Sequence, residues 1–160
     1  MTTWNTLRDA APEIVAVGEE RLRHYRLAML GTVRADGSPR ISTVEPVLGG
    51  GELLLGLIRG SAKARDLVRD PRCTLHSIIA DPDSGDPELT LRGRFVEVDA
   101  AKRKANPKAW WLSYEKSNPL VGTIELEAAS LVRFDLERGE LSVLSWTPAG
   151  AVTEQRKPYP

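Results

Sequence analysis

The dipeptide Asp36-Gly37 stands between two apolar runs, Leu27 to Val33 and Pro39 to Leu48, and leaves the chain few ways to continue. Asp-Gly supplies the positive φ that a tight hairpin needs, so the flanking runs are expected to pair as antiparallel neighbours. The same texture returns downstream. Gly49-Gly50-Gly51 marks a second turn, and Glu52 to Ile58 is almost wholly apolar, as expected of a strand buried on both faces. Cys73 to Ala80 reads as a strand, followed by a polar loop from Asp81 to Pro87. Leu89, Leu91, Gly93 and Phe95 alternate with Thr90, Arg92 and Arg94. The alternation then slips at Phe95-Val96, which predicts a bulge there. Gly122 to Glu127 fits no one period. Val132, Phe134 and Leu136 alternate, Arg138-Gly139 turns, and Leu141 to Trp146 returns. Many short strands joined by Gly and Asp turns predict a mainly β protein with peripheral helices, a closed or split β-barrel of about six to seven antiparallel strands.

Helices are expected around this sheet. Residues 1–25 read as a helical segment opened by Pro12, with Ile14, Val15, Val17 and Leu22 as its apolar stripe. Ser61 is a good N-cap for a helix to Asp70, stopped by Pro71. Its apolar face is Ala64, Leu67 and Val68, with Lys63, Arg65, Asp66 and Arg69 turned away. Asp99 to Lys116 is helical in places and interrupted at Asn106-Pro107, and residues 148–160 form a polar, loosely held tail. The 160 residues suit a single domain.

Composition removes several function classes. The 22 basic and 22 acidic residues cancel, so no general attraction to nucleic acid or to an anionic membrane is expected. No apolar run approaches the roughly 20 residues that span a bilayer, and Met1 to Asn5 does not begin a signal peptide. Cys73 is the only cysteine, which excludes an internal disulfide and fits a cytoplasmic location. With His24 and His76 as the only histidines, no histidine-rich metal centre is expected. The acidic loop Asp81 to Asp86 lacks the glycine and glutamate positions of a calcium loop. Both the P-loop pattern and the Gly-x-Gly-x-x-Gly pattern are absent.

The strongest local signal for chemistry is Arg59-Gly60-Ser61-Ala62-Lys63-Ala64-Arg65, placed after a buried strand and at a helix start. A hydroxyl, a lysine and the unpaired N–H groups of a first helical turn together suit a phosphate. An ordinary capped helix with a solvated basic face explains the same residues. Trp110, Trp111 and Trp146 fit core packing or ligand contact.

In order and spacing, these pieces resemble the flavin-binding split-barrel family that includes pyridoxamine 5′-phosphate oxidase, together with its actinobacterial relatives that use the deazaflavin F420. The resemblance runs through Met29-Leu30-Gly31-Thr32-Val33-Arg34-Ala35-Asp36-Gly37-Ser38-Pro39-Arg40-Ile41-Ser42-Thr43-Val44. It continues in Leu53-Leu54-Leu55, Ser61-Ala62-Lys63-Ala64-Arg65-Asp66-Leu67 and Asp70-Pro71-Arg72, with a weaker echo in Leu144 to Pro148. It implies a homodimer with FMN or F420 in a groove between protomers, working as an oxidoreductase by hydride transfer to or from a small molecule. It also implies that Ser42, Thr43 and Val44 border the ring system, that Ser61 and Lys63 hold the phosphate, and that Trp146 approaches the ring from the partner. Two positions depart from the family pattern. Ala62 stands where the oxidase has arginine, leaving Arg59 or Arg65 to compensate, and the C-terminal Arg-x-His substrate motif is replaced by Gln155-Arg156-Lys157-Pro158. A substrate other than pyridoxamine phosphate is therefore expected, with no side chain singled out as a catalytic acid or base. A non-catalytic cofactor- or haem-binding protein on the same fold is the alternative.

Overall fold

A computed structural model of the chain describes every residue except Ala105, Pro107 and Pro160, and the side chains of all others except Tyr114, Glu115 and Ser117. Among the described residues, nine antiparallel strands form one sheet in the order β2-β1-β5-β6-β7-β4-β3, with β8 on β7 and β9 on β8. The strands are β1 (Ala28–Val33), β2 (Pro39–Val44), β3 (Pro46–Gly49), β4 (Glu52–Leu57), β5 (Arg72–Ser77), β6 (Glu88–Glu97), β7 (Leu120–Asp135), β8 (Glu140–Trp146) and β9 (Thr153–Pro158). Four helices, α1 (Trp4–Ala10), α2 (Pro12–Tyr25), α3 (Ala62–Arg69) and α4 (Ala100–Lys104), and a 3₁₀ segment (Trp110–Ser117) surround it. The fold is the expected mainly β split barrel with peripheral helices, but with nine strands in place of the six to seven expected, because the run from Pro39 to Leu48 divides into β2 and β3 and the polar tail adds β9.

The first hairpin forms as its turn residues dictate. Gly37 takes φ +83°, the Asp36 carboxylate accepts from the N–H and hydroxyl of Ser38, and β1 pairs with β2 from Ala28–Val44 to Val33–Pro39. The run from Pro39 to Leu48 is not one strand. It breaks at Glu45, so that β2 stays with β1 while β3 pairs with β4. That break lets the chain leave one edge of the barrel and begin the other.

The barrel splits at β7. This 16-residue strand carries β6 along one edge, from Gly122 to Val132. Its other edge carries β4 at residues 120–122 and β8 at residues 129–135. In the gap between those two partners the Leu126 N–H donates to the Thr2 carbonyl at 2.7 Å, and Trp4 and Leu7 beside it are buried. The N-terminal helices thus plug the split.

Burial explains the fully apolar β4. Leu53, Leu55 and Leu57 enter the main core, while Leu54 joins a second cluster with Ala109, Trp111 and Val121 beneath the 3₁₀ segment. The same cover accounts for the irregularity expected at Phe95-Val96. The alternation of β6 runs unbroken through Phe95. Val98 is half-buried because it packs on the second cluster. The bulge lies instead on β7, where Arg92 faces Ala128 and Gly93 faces Leu126, leaving Glu127 extra.

Three other expectations change. Residues 1–25 form two helices, α1 and α2, that meet at Ala11. The polar tail contains β9, whose backbone pairs with β8 from Ser145–Thr153 to Glu140–Pro158 although every one of its residues is exposed. On α3, Asp66 is buried and Val68 is exposed, because polar partners on the hairpin below draw Asp66 inward. Gly122 to Glu127, indistinct in sequence, is part of β7. Of the interruption expected at Asn106-Pro107, Pro107 lies outside the described residues. Between α4 and the 3₁₀ segment, Trp111 donates its indole N–H to the Arg103 carbonyl at 2.9 Å.

Candidate functional site

The helix start after β4 is built as its residues require. The Ser61 hydroxyl accepts from the Ala64 N–H at 3.4 Å, capping α3 and leaving the first-turn N–H groups of Ala62 and Lys63 without intrahelical carbonyls. Lys63 reaches back across the groove and donates to the Thr43 carbonyl at 2.8 Å. That contact ties α3 to the end of β2.

A cleft of about 320 Å³ opens between them, lined by Leu27, Thr43, Val44, Glu45, Gly56, Leu57, Ile58, Ser61, Lys63 and Trp110. One end is cationic and rich in donors, and the rest is mostly apolar, with Thr43 and Glu45 as its polar members. Leu27 and Ile58 are 44% and 66% exposed, so this chain builds one wall of a groove and leaves the facing side open. Gly56 shapes its floor. A Cβ there would overlap the indole of Trp111 and lie 3.1 Å from that of Trp110. Only a glycine lets the Trp110-Trp111 pair, packed edge to face with centroids 6.1 Å apart, lie down on β4.

Beneath α3 sits the best-satisfied charge of the region. Asp66, 3% exposed, accepts from the Thr32 hydroxyl at 3.0 Å and Arg40 Nε at 2.6 Å through one oxygen, and from Arg69 at 3.3 Å through the other. Burial alone would push this carboxyl up. The three donors and the charge of Arg40 outweigh it and hold the group below the ordinary carboxylate range. The effect is to pin α3, and with it Ser61 and Lys63, to the β1-β2 hairpin.

Four of the residues expected from sequence, Thr43, Val44, Ser61 and Lys63, meet in the cleft. Ser42 does not line it. It alternates with Thr43 and faces inward beside its cross-strand partner Leu30. Arg59 is engaged elsewhere, donating to Glu97 at 2.5 Å and to the Asn118 carbonyl at 3.0 Å. Arg65 stays at the helix start, donating to the Gly60 carbonyl at 2.5 Å. Trp146 is 3% exposed within the main core of its own chain, away from the cleft. Sequence reasoning did not place Leu27, Glu45, Ile58 or Trp110 here. The usable signal was Gly56 within an otherwise apolar strand together with a tryptophan pair downstream.

No histidine or cysteine lines the cleft. Burial pushes the Cys73 thiol up to about 12, with the negative charge of Glu127 adding to it, so this group is no nucleophile. Among the described residues, no three His, Cys, Asp or Glu side chains gather as a metal site, and no helix is long and apolar enough to cross a membrane.

A split antiparallel barrel with a cationic helix start beside an apolar, one-walled cleft is the architecture of flavin-binding split-barrel proteins. Residues 16–133 match the family described as pyridoxamine 5′-phosphate oxidase, and the chain belongs to that family. In sequence, no curated protein matches it. Similar solved structures show the same fold. One is a pyridoxamine 5′-phosphate oxidase-related, FMN-binding protein from Nostoc punctiforme, with 11% identity over 94% of this chain and 96% of that one and a TM-score of 0.63. PhzG from Burkholderia lata, in complex with tetrahydrophenazine-1-carboxylic acid, has 9% identity over 91% and 88% of the two chains and a TM-score of 0.63. A heme binding protein from Mycobacterium smegmatis has 19% identity over 90% and 88%, and a TM-score of 0.58.

Proposed function

We propose that this protein is an oxidoreductase that binds a phosphorylated flavin-type cofactor, FMN or F420, and transfers hydride to or from a small molecule. The observation that carries this reading is the polarity of the cleft. Ser61, Lys63 and the first-turn N–H groups of α3 stand at one end, and Leu27, Val44, Ile58 and Trp110 line the rest. That donor set fits a phosphate joined to a flat apolar body. Lys63 and the helix start would hold the phosphate, with Arg65 close enough in sequence to offset the loss of an arginine at Ala62. The backbone of Thr43 and Val44 and the indole of Trp110 would border the ring. The bound cofactor supplies the hydride chemistry, and the protein positions it and excludes water. Glu45 is the one carboxylate of the cleft lining.

The open side of the cleft calls for a second copy. Thr43 lies on the cleft and, two residues from Ile41, on the same outer sheet face. Ile41 is 70% exposed there, across from Gly31 on β1, which in turn faces Thr74 on β5. We infer a homodimer that buries this face and closes the groove with residues of the partner.

Titration of the purified protein with FMN, riboflavin and F420, followed by absorbance and tryptophan fluorescence, tests the reading. FMN or F420 is expected to bind at least about tenfold more tightly than riboflavin, the difference made by one charge-assisted phosphate contact. Uptake of haem with a Soret band and no uptake of either flavin would move the assignment to a haem-binding protein. Absence of any uptake would overturn both.

A further inference from the structure

Next to the cleft, and sharing Glu45 and Trp110 with it, lies a second recess of about 410 Å³. Leu22, Pro46, Val47 and Leu48 give it an apolar lining, and Arg23, Arg26 and Lys108 stand around it against one acid, Glu45. Arg23 is already paired with Glu19 at 2.9 Å. Arg26 is held differently. It terminates α2 in the left-handed conformation, φ +57° and ψ 6°, with its N–H donating to the Leu22 carbonyl at 2.9 Å. That backbone position favours glycine, and an arginine gains nothing from it. Its side chain is 79% exposed and meets Glu45 only at 3.4 Å. The guanidinium is thus placed over the recess at a conformational cost and with one loose partner.

We propose that this recess is the substrate subsite, and that it selects a flat, apolar molecule bearing a carboxylate. The proposal rests on the reading of the neighbouring cleft as the cofactor site. A guanidinium takes a carboxylate through two parallel N–H donors, and Trp110 offers an indole shared with the cleft to the apolar body. With Arg23 paired to Glu19, Arg26 and Lys108 against Glu45 leave one net positive charge at the recess, which a monoanion neutralises and a phosphate dianion exceeds. A ligand seated this way abuts the cofactor groove along Trp110.

Calorimetry with naphthalene-2-carboxylate and naphthalene-2-carboxamide, on the FMN-loaded protein and on the protein alone, tests the subsite. The acid is expected to bind roughly tenfold more tightly than the amide, as one exposed charge-assisted contact allows. Arg26→Gly should abolish that preference by weakening the acid alone. Because glycine accepts the left-handed conformation, its melting temperature should be unchanged or higher, and its FMN affinity should stay within about twofold of wild type. Trp110→Ala should weaken both probes. Equal binding of acid and amide to the wild-type protein, or an acid affinity unchanged in Arg26→Gly, overturns the proposal. If FMN fails to bind while the Arg26-dependent preference for the acid persists, the subsite stands and the cofactor reading falls.

Discussion

Lys63 and Asp66 sit on one helix and do opposite work. Lys63 is half-buried at the cleft with the Thr43 carbonyl as its partner, so on the proposed reading Lys63→Ala removes a phosphate contact and little packing. Its affinity for FMN is expected to fall by about 1.5–3 kcal/mol, about 10- to 150-fold, while affinity for riboflavin changes much less. Equal losses for the two ligands in a fluorescence titration would show that the helix start holds no phosphate. Asp66 is structural. Its carboxyl is held below its ordinary range by Arg40, Thr32 and Arg69 against the opposing effect of burial. A depressed folded-state value stabilises the protein above the unfolded value, near pH 4. That contribution is lost as pH falls through the lower folded value. Asp66→Asn is therefore expected to lower stability at pH 7 by about 2 kcal/mol. In thermal melts, the gap to wild type should narrow steadily below about pH 4. A gap that is constant from pH 7 to pH 3 would mean that the charge of Asp66 contributes nothing.

Strand β4 and the 3₁₀ segment over it form the element on which the cleft depends. β4 is buried on both faces, and Gly56 is the point where the covering tryptophans approach the backbone. Gly56→Ala puts a methyl group into the indoles of Trp110 and Trp111, and overpacking of this kind costs about 1–3 kcal/mol. The 3₁₀ segment should lift, blue-shifted tryptophan emission should move toward that of exposed indole, and cofactor affinity should drop because Trp110 leaves the cleft. Retention of wild-type emission and affinity would show that the cover shifts without strain. β9 makes the complementary point. It has no buried side chain, and it forms because the edge of β8 offers unpaired backbone groups to any nearby extended segment.

The whole molecule is a barrel with one plugged split and one open face. The N-terminal helices close the gap between β4 and β8, whereas among the described residues no helix of this chain covers the outer face of β2, β1, β5 and β6. Ile41, on the edge strand β2, has 70% of its surface exposed there. Ile41→Asp is expected to yield a monomer by sedimentation at micromolar concentration, with far-UV circular dichroism unchanged, and to weaken FMN binding because the groove loses its second wall. A wild-type protein that sediments as a clean monomer with FMN present would remove the dimer from the proposal.

Local chemistry was legible from the chain alone. The Asp36-Gly37 hairpin, the doubly buried β4 and the capped helix at Ser61 with Lys63 in its first turn follow from turn propensity, apolar period and capping, which act over a few residues; Thr43 and Val44 beside the cleft were implied by the family resemblance alone. Those signals say which face of a segment is apolar and where it stops. They do not say what covers the other face. The break at Glu45 depends on β3 finding β4, the bulge at Glu127 on β7 serving three partners, and the inward turn of Asp66 on Arg40 and Thr32 lying beneath α3. The tail becomes β9 only because β8 has a free edge. Trp110 belongs to the cleft, and Trp146 to the core, because of packing between segments far apart in sequence. Such contacts are decided when the whole barrel closes, since only then is it settled which backbone groups and which apolar surfaces still lack a partner.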